Sequence, residues 1–269
     1  MIEGILMVNK IKKSYIQVAR EAAKGAGQVL LKYYGNTTVS HKSDLSLVTE
    51  ADIASDNFIR KELTLHFPDH SIISEESGEL VQNSISSYTW VIDPLDGTNN
   101  FSVKHPFFTV SIGLIKNQEP VLGVVYFPIQ NELYYAQKGK GAFLNNNKLI
   151  CSSSKQLEDV LIAVGNGSDL ASREKIVNLY SKLKIQNMII RHTGATALEL
   201  CYVATGRFGA FFMAGLKPWD IIAGSLIVKE AGGIVTDLYG NPYRWNSSTL
   251  VAAPNSLYNR LINIIQSQK

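Results

Sequence analysis

Apolar residues recur three or four positions apart at the beginning of the chain, the spacing of one face of a helix. Seven residues share it: Ile11, Tyr15, Val18, Ala22, Ala26, Val29 and Tyr33. The pattern predicts a long amphipathic helix that ends near Gly35. A second helix is predicted to start at Thr49, where Asp52 completes a capping-box pattern, and to stop before Pro68.

Later segments alternate in the way that strands do. Residues 109–114, 121–127 and 132–136 are strand-like and separated by polar turns, which predicts an antiparallel meander and completes an α+β half over residues 1–150. After a linker at 151–154, strand and helix patterns alternate over 160–164, 173–183, 188–192, 196–205, 208–213, 219–231 and 234–237. We therefore predict a second, α/β half over residues 151–269.

One apolar segment stops on two acids and a glycine, in the run WVIDPLDGT at residues 90–98. Because Pro94 cannot donate to a sheet ladder, the strand over 89–92 is expected to end at Asp93, and Gly97 and Thr98 are expected to begin a helix with free amides. Carboxylates suit a hard divalent cation, and free amides at a helix start suit a phosphate. The run therefore predicts a metal-dependent phosphomonoesterase, although an ordinary surface turn has the same composition.

Two more acidic segments follow the same logic. A short apolar strand at 71–74 stops on Glu75 and Glu76, and the run KPWD at 217–220 begins an apolar helix with Asp220 in its first turn. An acid in a first helical turn is also stabilised by the helix dipole, so Asp220 by itself is weak evidence. Taken together, three acidic strand or helix ends could converge on one site.

These segments together resemble the inositol monophosphatase family. Five ordered blocks carry the resemblance, which extends from Lys42 to Gly233: LVTEAD at 47–52, SEES at 74–77, residues 90–101, KGKGAF at 138–143, and PWD at 218–220 followed by Ala223 and Gly224. The resemblance implies a mixed α/β (α+β) fold, built as a layered α-β-α-β-α sandwich. It also implies a homodimer and lithium sensitivity.

The resemblance further implies a site with two to three Mg²⁺ ions. The implied ligands are Glu75, Glu76, Asp93, the Leu95 carbonyl, Asp96 and Asp220, with Asp93 shared by two ions and Glu76 near a weaker third. Thr98 and Asp52 would orient a metal-activated water for in-line attack on phosphorus, without a phosphoenzyme. The implied substrate contacts are Asp96, Gly97, Thr98, Gly194, Ala195, Thr196, Met213 and Asp220.

The substrate is expected to be a small phosphorylated molecule. Family members that act on inositol phosphates usually carry an acid where this chain has Met213, and a lost acceptor for a polyol hydroxyl costs about 1–3 kcal/mol. Inositol-1-phosphate remains the first expectation, with fructose-1,6-bisphosphate, adenosine 3′,5′-bisphosphate and histidinol phosphate as alternatives. A non-catalytic, metal-binding regulatory protein on this fold is a remote alternative, since it should have lost a ligand and none is missing.

A cysteine-dependent phosphatase is a rival interpretation, because Cys201 and Arg207 have the Cys-x5-Arg spacing. The helical pattern around Cys201 argues against it, since that chemistry needs the cysteine at a strand end among amides that lower its pKa.

Composition narrows the class of protein. Two cysteines give no disulfide framework, and a net charge of +3 without a basic stripe disfavours a nucleic-acid partner. No basic region precedes the first apolar residues, and no run of about 18 apolar residues occurs, so neither secretion nor a membrane span is expected. The expected location is the cytoplasm.

Overall fold

The computed structural model describes residues 13–42, 46–80, 86–152 and 156–267. Its helices are α1 (Tyr15–Tyr33), α2 (Glu50–His66), α3 (Thr98–Ser102), α4 (Leu170–Ile185), α5 (Thr196–Ala204), α6 (Pro218–Glu230) and α7 (Asn255–Gln266). Its first ten strands are β1 (Val39–His41), β2 (Leu47–Thr49), β3 (Ser71–Ser74), β4 (Gly78–Leu80), β5 (Tyr88–Asp96), β6 (Thr109–Lys116), β7 (Glu119–Phe127), β8 (Glu132–Gln137), β9 (Gly141–Leu144) and β10 (Asn147–Lys148). The remaining strands are β11 (Leu161–Asn166), β12 (Ile189–Arg191), β13 (Ala210–Ala214), β14 (Ile234–Thr236) and β15 (Thr249–Ala253).

The first two helices form where the sequence predicts them. α1 begins with a capping box between Ser14 and Gln17, and α2 begins with the predicted capping box between Thr49 and Asp52. The apolar faces of both helices pack into one core with the strands of the large sheet. Three predicted segments lie partly outside the described residues: the start of the first helix at Ile11, the beginning of the family resemblance at 42–45, and the linker at 151–154.

The larger sheet has eight strands in the order β10-β9-β8-β7-β6-β5-β3-β4. Strands β5 to β9 pair antiparallel in sequence order, which confirms the predicted meander, and β3 pairs parallel with β5. The prediction that the strand ends at Asp93 is wrong, because pairing resumes at Asp96. Asp93 pairs with Ser111 and Asp96 with Thr109, so a bulge in β5 accommodates Pro94 without requiring its missing N–H.

The smaller sheet has five strands in the order β12-β11-β13-β15-β14. Strands β12, β11 and β13 are parallel and joined through α4 and α5, as the alternating strand and helix patterns predict. Strand β15 is antiparallel to both β13 and β14. Neither β15 nor α7 was among the predicted elements.

The elements stack as five layers, which confirms the predicted α-β-α-β-α sandwich. Helices α1 and α2 cover the outer face of the large sheet, α5 and α6 lie between the sheets, and α4 and α7 cover the small sheet. Gly123 lets α6 approach β7 closely, since a Cβ there would lie 2.5 Å from the carbonyl oxygen of Ala223. The division of the chain near residue 150 stays a prediction, because α5 and α6 pack against both sheets.

Among the described helices, none is long and apolar enough to cross a membrane.

Candidate active site

A cavity of about 470 Å³ opens where β5, α3, α5 and α6 meet. Ten of the predicted site residues line it: Glu75, Asp93, Leu95, Asp96, Gly97, Thr98, Gly194, Thr196, Met213 and Asp220. The other three predicted residues lie behind this lining. Asp52 is buried beneath Thr98, Glu76 is turned toward Lys42, and Ala195 is fully buried at the start of α5.

The bulge in β5 places two of the acids. The amide of Leu95 donates to Asp93 Oδ1 at 3.0 Å, and the carbonyl of Pro94 accepts a bond from Ser55 on α2 at 2.8 Å. Asp96 Oδ2 accepts from the Thr109 hydroxyl at 2.9 Å and from the Ala197 amide at 3.0 Å. The first amides of α5 are therefore used by Asp96, so both acids are held rigidly at the cavity wall.

A tight turn connects β5 to α3. Gly97 has a positive φ of 96°, and a Cβ there would lie 3.0 Å from the Phe107 carbonyl oxygen and 3.3 Å from that of Gly194. Only glycine adopts this conformation without strain in so little space. The turn places Thr98 as the first residue of the helix, facing the cavity.

Asp52 acts at once as a capping residue and as a partner of Thr98. Its Oδ2 accepts bonds from the amide and hydroxyl of Thr49 at 2.8 and 2.6 Å, and its Oδ1 accepts the Thr98 hydroxyl at 2.9 Å. Burial raises the pKa of Asp52, while these hydrogen bonds oppose the rise. The sequence predicted either a helix-capping role for Asp52 or a partnership with Thr98. Both roles occur, since Oδ2 caps the helix and Oδ1 binds Thr98.

Asp220 combines two contacts in a similar way. Its Oδ2 accepts the amide of Lys217 at 3.0 Å, as an acid in the first turn of a helix does, while its side chain also lines the cavity. Asp220 therefore both caps the start of α6 and lies in the same cavity as Asp93 and Asp96.

The acids raise one another's pKa values. Burial raises the pKa of Asp93 well above its ordinary value, and the charges of Glu75, Asp96 and Asp220 raise it further. The pKa of Asp96 rises to about 7 and that of Asp220 to about 8, in both cases chiefly through burial. Several carboxylates in so little solvent need a compensating positive charge in order to ionise together.

The donor set fits a hard divalent cation. Mg²⁺ prefers oxygen ligands, and the predicted ligands here are carboxylate oxygens and one backbone carbonyl. Among the described residues, no imidazole lines this cavity, and its only sulfur is the thioether of Met213. Within the described ranges, no three acidic, histidine or cysteine side chains are arranged so that they could hold an ion as they stand. Binding would therefore require the carboxylates to move toward one another around the ion.

Lys42 is a residue of this site for which the sequence predicted no role. Its Nζ donates to Glu75 Oε1 at 3.0 Å and to Glu76 Oε1 at 2.6 Å. Burial lowers the pKa of Lys42, but the two glutamates outweigh burial and hold it above its ordinary value. The contact spans more than 30 residues of sequence, so the position of Lys42 ahead of LVTEAD was the only available signal.

The wall opposite the acids is less polar. Met213 on β13 is 6% exposed, and the Thr196 hydroxyl contacts its sulfur at 3.6 Å, so no acid faces the cavity from this strand position. An adjoining cavity of about 720 Å³ extends past Met213 to Arg173, His192 and Glu199. The two cavities share the lining of residues 166–168, which leaves room for a substrate larger than a phosphate.

Glu199 is a second residue without a signal in the sequence. Its Oε1 accepts bonds from the amide and hydroxyl of Thr193, while its buried Oε2 finds no partner in the described part of the chain. Burial raises the pKa of Glu199 to about 8, which favours the protonated form of the carboxyl.

Cys201 lies inside α5, as its helical pattern predicted. It is fully buried, and burial raises its pKa well above the ordinary value of a thiol. Arg207 pairs with Glu132 instead of facing the cysteine. A thiolate nucleophile is therefore disfavoured here.

Comparison with known proteins agrees with this geometry. The model of the inositol monophosphatase family matches residues 12–269. The chain is 36% identical to the fructose-1,6-bisphosphatase/inositol-1-monophosphatase of Aquifex aeolicus, over 94% of this chain and 95% of that protein. It is 38% identical to the Nus factor SuhB of Pasteurella multocida, over 93% of this chain and 95% of that protein.

A solved structure has the same fold. The extragenic suppressor protein suhB from Bartonella henselae superposes with a TM-score of 0.89 at 34% identity, over 96% of this chain and 100% of that one. The chain belongs to the inositol monophosphatase family.

Proposed function

We propose that this member of the inositol monophosphatase family is a Mg²⁺-dependent phosphatase that hydrolyses a small phosphate monoester, with inositol-1-phosphate as the first candidate. One observation carries the proposal. Acids from three separate elements, the end of β3, the bulge of β5 and the start of α6, share one cavity with a threonine hydroxyl that is held by a buried aspartate. Several buried carboxylates in one cavity are costly unless cations offset their charge, so their convergence supports a site for cations and an anionic ligand.

The cation ligands would be Glu75, Asp93, the Leu95 carbonyl, Asp96 and Asp220, with Glu76 near a third ion. When bound, Mg²⁺ would make water more acidic, offset the charge of the phosphate and stabilise the leaving oxygen. Asp93 lies within the field of Glu75, Asp96 and Asp220, so it is the residue best placed to be shared between two ions.

Thr98 and Asp52 would orient the attacking water. The Thr98 hydroxyl has one proton, and both Asp52 Oδ1 at 2.9 Å and the Leu95 carbonyl at 3.1 Å are within reach. When the hydroxyl donates its hydrogen bond to Asp52, the lone pairs of its oxygen are left to accept a hydrogen bond from the attacking water, which orients that water. The amides of Gly97 and Thr98 would donate to phosphate oxygens.

The identity of the leaving group rests on the relatives and on the adjoining cavity. The Aquifex relative is named for both fructose-1,6-bisphosphate and inositol-1-phosphate, and the adjoining cavity past Met213 has room for either. Met213 offers a polyol hydroxyl only a weak thioether acceptor in place of a carboxylate, which lowers the expected preference for inositol. Adenosine 3′,5′-bisphosphate and histidinol phosphate remain alternatives, and the homodimer, the cytoplasmic location and lithium sensitivity remain predictions.

A non-catalytic regulatory role is the second candidate, because the Pasteurella relative is named a Nus factor. Phosphate release from the four candidate substrates, each with Mg²⁺ and with a chelator, separates the two. We expect Mg²⁺-dependent release from at least one substrate, with inositol-1-phosphate or fructose-1,6-bisphosphate the fastest. A folded protein that binds Mg²⁺ and releases phosphate from none of the four would favour the regulatory role.

A further inference from the structure

A third cavity, of about 570 Å³, lies at the opposite end of α6 from Asp220. The turn between β6 and β7, Lys138, the last turns of α6 and residues 243–246 form its walls. None of its lining residues also lines the acidic cavity. The proposed phosphatase has no part for it, so it is a separate feature of the molecule.

Positive charge is left over in this cavity. Three cations and two carboxylates of the described chain line it, so its net charge is +1. Glu119 pairs with Lys138, and Glu230 accepts the amides of Gly139 and Gly141, both at 2.8 Å. Two cations remain, Lys229 and Arg244. Over the described ranges, no carboxylate oxygen lies within 4.0 Å of either cation.

The position of Lys229 disfavours the charged form of its ammonium group. Its Nζ lies 5.2 Å from the centroid of the Tyr243 ring. Burial lowers the pKa of Lys229, and the charge of Glu119 opposes that shift only in part. A bound anion would stabilise the ammonium further. Arg244 adds planar N–H donors that suit phosphate oxygens.

The floor and one wall of the cavity also point to a ligand. Tyr243 is 6% exposed, and Ser225 is the polar side chain beside its buried hydroxyl. The half-buried indole of Trp245 gives the wall a flat apolar surface. A ligand with a flat ring, polar groups and a phosphate would match the indole, the hydroxyl and the two cations together.

We propose that this cavity binds a nucleoside monophosphate, with its base against Trp245, its phosphate between Lys229 and Arg244, and a polar atom bonded to the Tyr243 hydroxyl. The cavity volume lies within the range of small-molecule sites. The proposal does not depend on the proposed phosphatase activity.

Calorimetric titration of adenosine 5′-monophosphate in a chelator tests the proposal while keeping divalent cations out of the acidic cavity. We expect saturable binding that weakens by roughly tenfold or more in the double variant Lys229→Met/Arg244→Gln. The matched control Lys24→Met/Lys61→Met removes two exposed lysines from α1 and α2 and should bind within about twofold of wild type. Equal affinity in wild type and the cavity variant, equal weakening in both variants, or no binding at about 10 mM would each overturn the proposal.

A second comparison tests how the ligand lies. Adenosine and inorganic phosphate should each bind at least about tenfold more weakly than the nucleotide, because each lacks one of the two anchors. Tyr243→Phe should weaken nucleotide binding several-fold, because it removes the hydroxyl that would bond to the ligand. Inorganic phosphate that binds as tightly as the nucleotide would contradict the role of Trp245.

Discussion

The two ends of α6 carry opposite charge imbalances. At its start, Asp220 joins Asp93, Asp96 and Glu75 in one cavity, and Lys42 is the cation in contact with Glu75. At its other end, Lys229 and Arg244 line a cavity whose described side chains carry a net charge of +1. After the ion pairs within the protein are counted, the first cavity keeps negative charge and the second keeps positive charge.

This difference indicates which kind of ligand each cavity needs. Burial raises the pKa of Asp96 to about 7 and that of Asp220 to about 8, and it lowers the pKa of Lys229. Both ends therefore hold groups whose charged forms are disfavoured until a counter-charge arrives. Cations would supply it at the first end, and a phosphate at the second.

The largest loss of activity is expected for Asp93→Asn in the acidic cavity. Loss of a ligand shared by two ions should lower kcat/KM by on the order of 10³-fold. The fold should survive, because an asparagine oxygen can still accept the Leu95 amide and one buried negative charge is removed. Steady-state phosphate release and thermal unfolding measure the two effects.

The matched control is Asp159→Asn, the same change at an exposed aspartate. Activity near wild type in folded Asp93→Asn would contradict the assignment of Asp93 as a shared ligand.

Thr98→Val should have the next largest effect. It removes the hydroxyl that donates to Asp52 at 2.9 Å, and we expect kcat to fall on the order of 10²-fold, as for loss of a group that orients a reacting water. Thr98→Ser keeps the hydroxyl and should recover most of the rate. If valine and serine variants were equally impaired, the methyl group and its packing would explain the loss instead of the hydroxyl.

A smaller effect is expected at the wall of the cavity. Met213→Glu places an acceptor where the family members that act on inositol phosphates carry an acid, and it should raise kcat/KM for inositol-1-phosphate relative to a monoester with few hydroxyls by about tenfold. The ratio cancels any general change in the metal site. An unchanged ratio in an active variant would show that Met213 does not contact the leaving group.

The smallest effect is expected at Cys201. Cys201→Ser should keep kcat within about twofold, because a fully buried thiol in the middle of α5 has no role when water is the nucleophile. A phosphate trapped on Cys201, or a folded and inactive serine variant, would reverse this conclusion.

Local patterns predicted the elements and most of the acids of the site. Helical spacing and capping residues gave α1 and α2, and the strand that stops on Asp93 and Asp96 indicated the cavity. The proline predicts the end of the strand and not a bulge, because a sequence does not show that antiparallel pairing skips one residue and resumes. The apolar strand β15 and amphipathic α7 had detectable patterns that were not used.

Contacts between distant segments could not be predicted. Nothing near Lys42 in the sequence shows that its ammonium reaches Glu75 and Glu76, since the chain passes through α2 before it returns. The cavity of Lys229 and Arg244 likewise combines two hairpin turns, a helix end and a loop that lie far apart in sequence. The fold sets both arrangements, and local propensity does not contain them.

The most direct test of the central claim is a calorimetric titration of Mg²⁺ at pH 7 in buffers of different ionisation enthalpy. Burial raises the pKa of Asp96 to about 7 and that of Asp220 to about 8, which favours their protonated forms near this pH, so bound cations should displace protons. We predict saturable Mg²⁺ binding with net proton release, and loss of both in Asp93→Asn. Mg²⁺ binding without proton release, or no binding by the wild type at millimolar concentrations, would contradict the account.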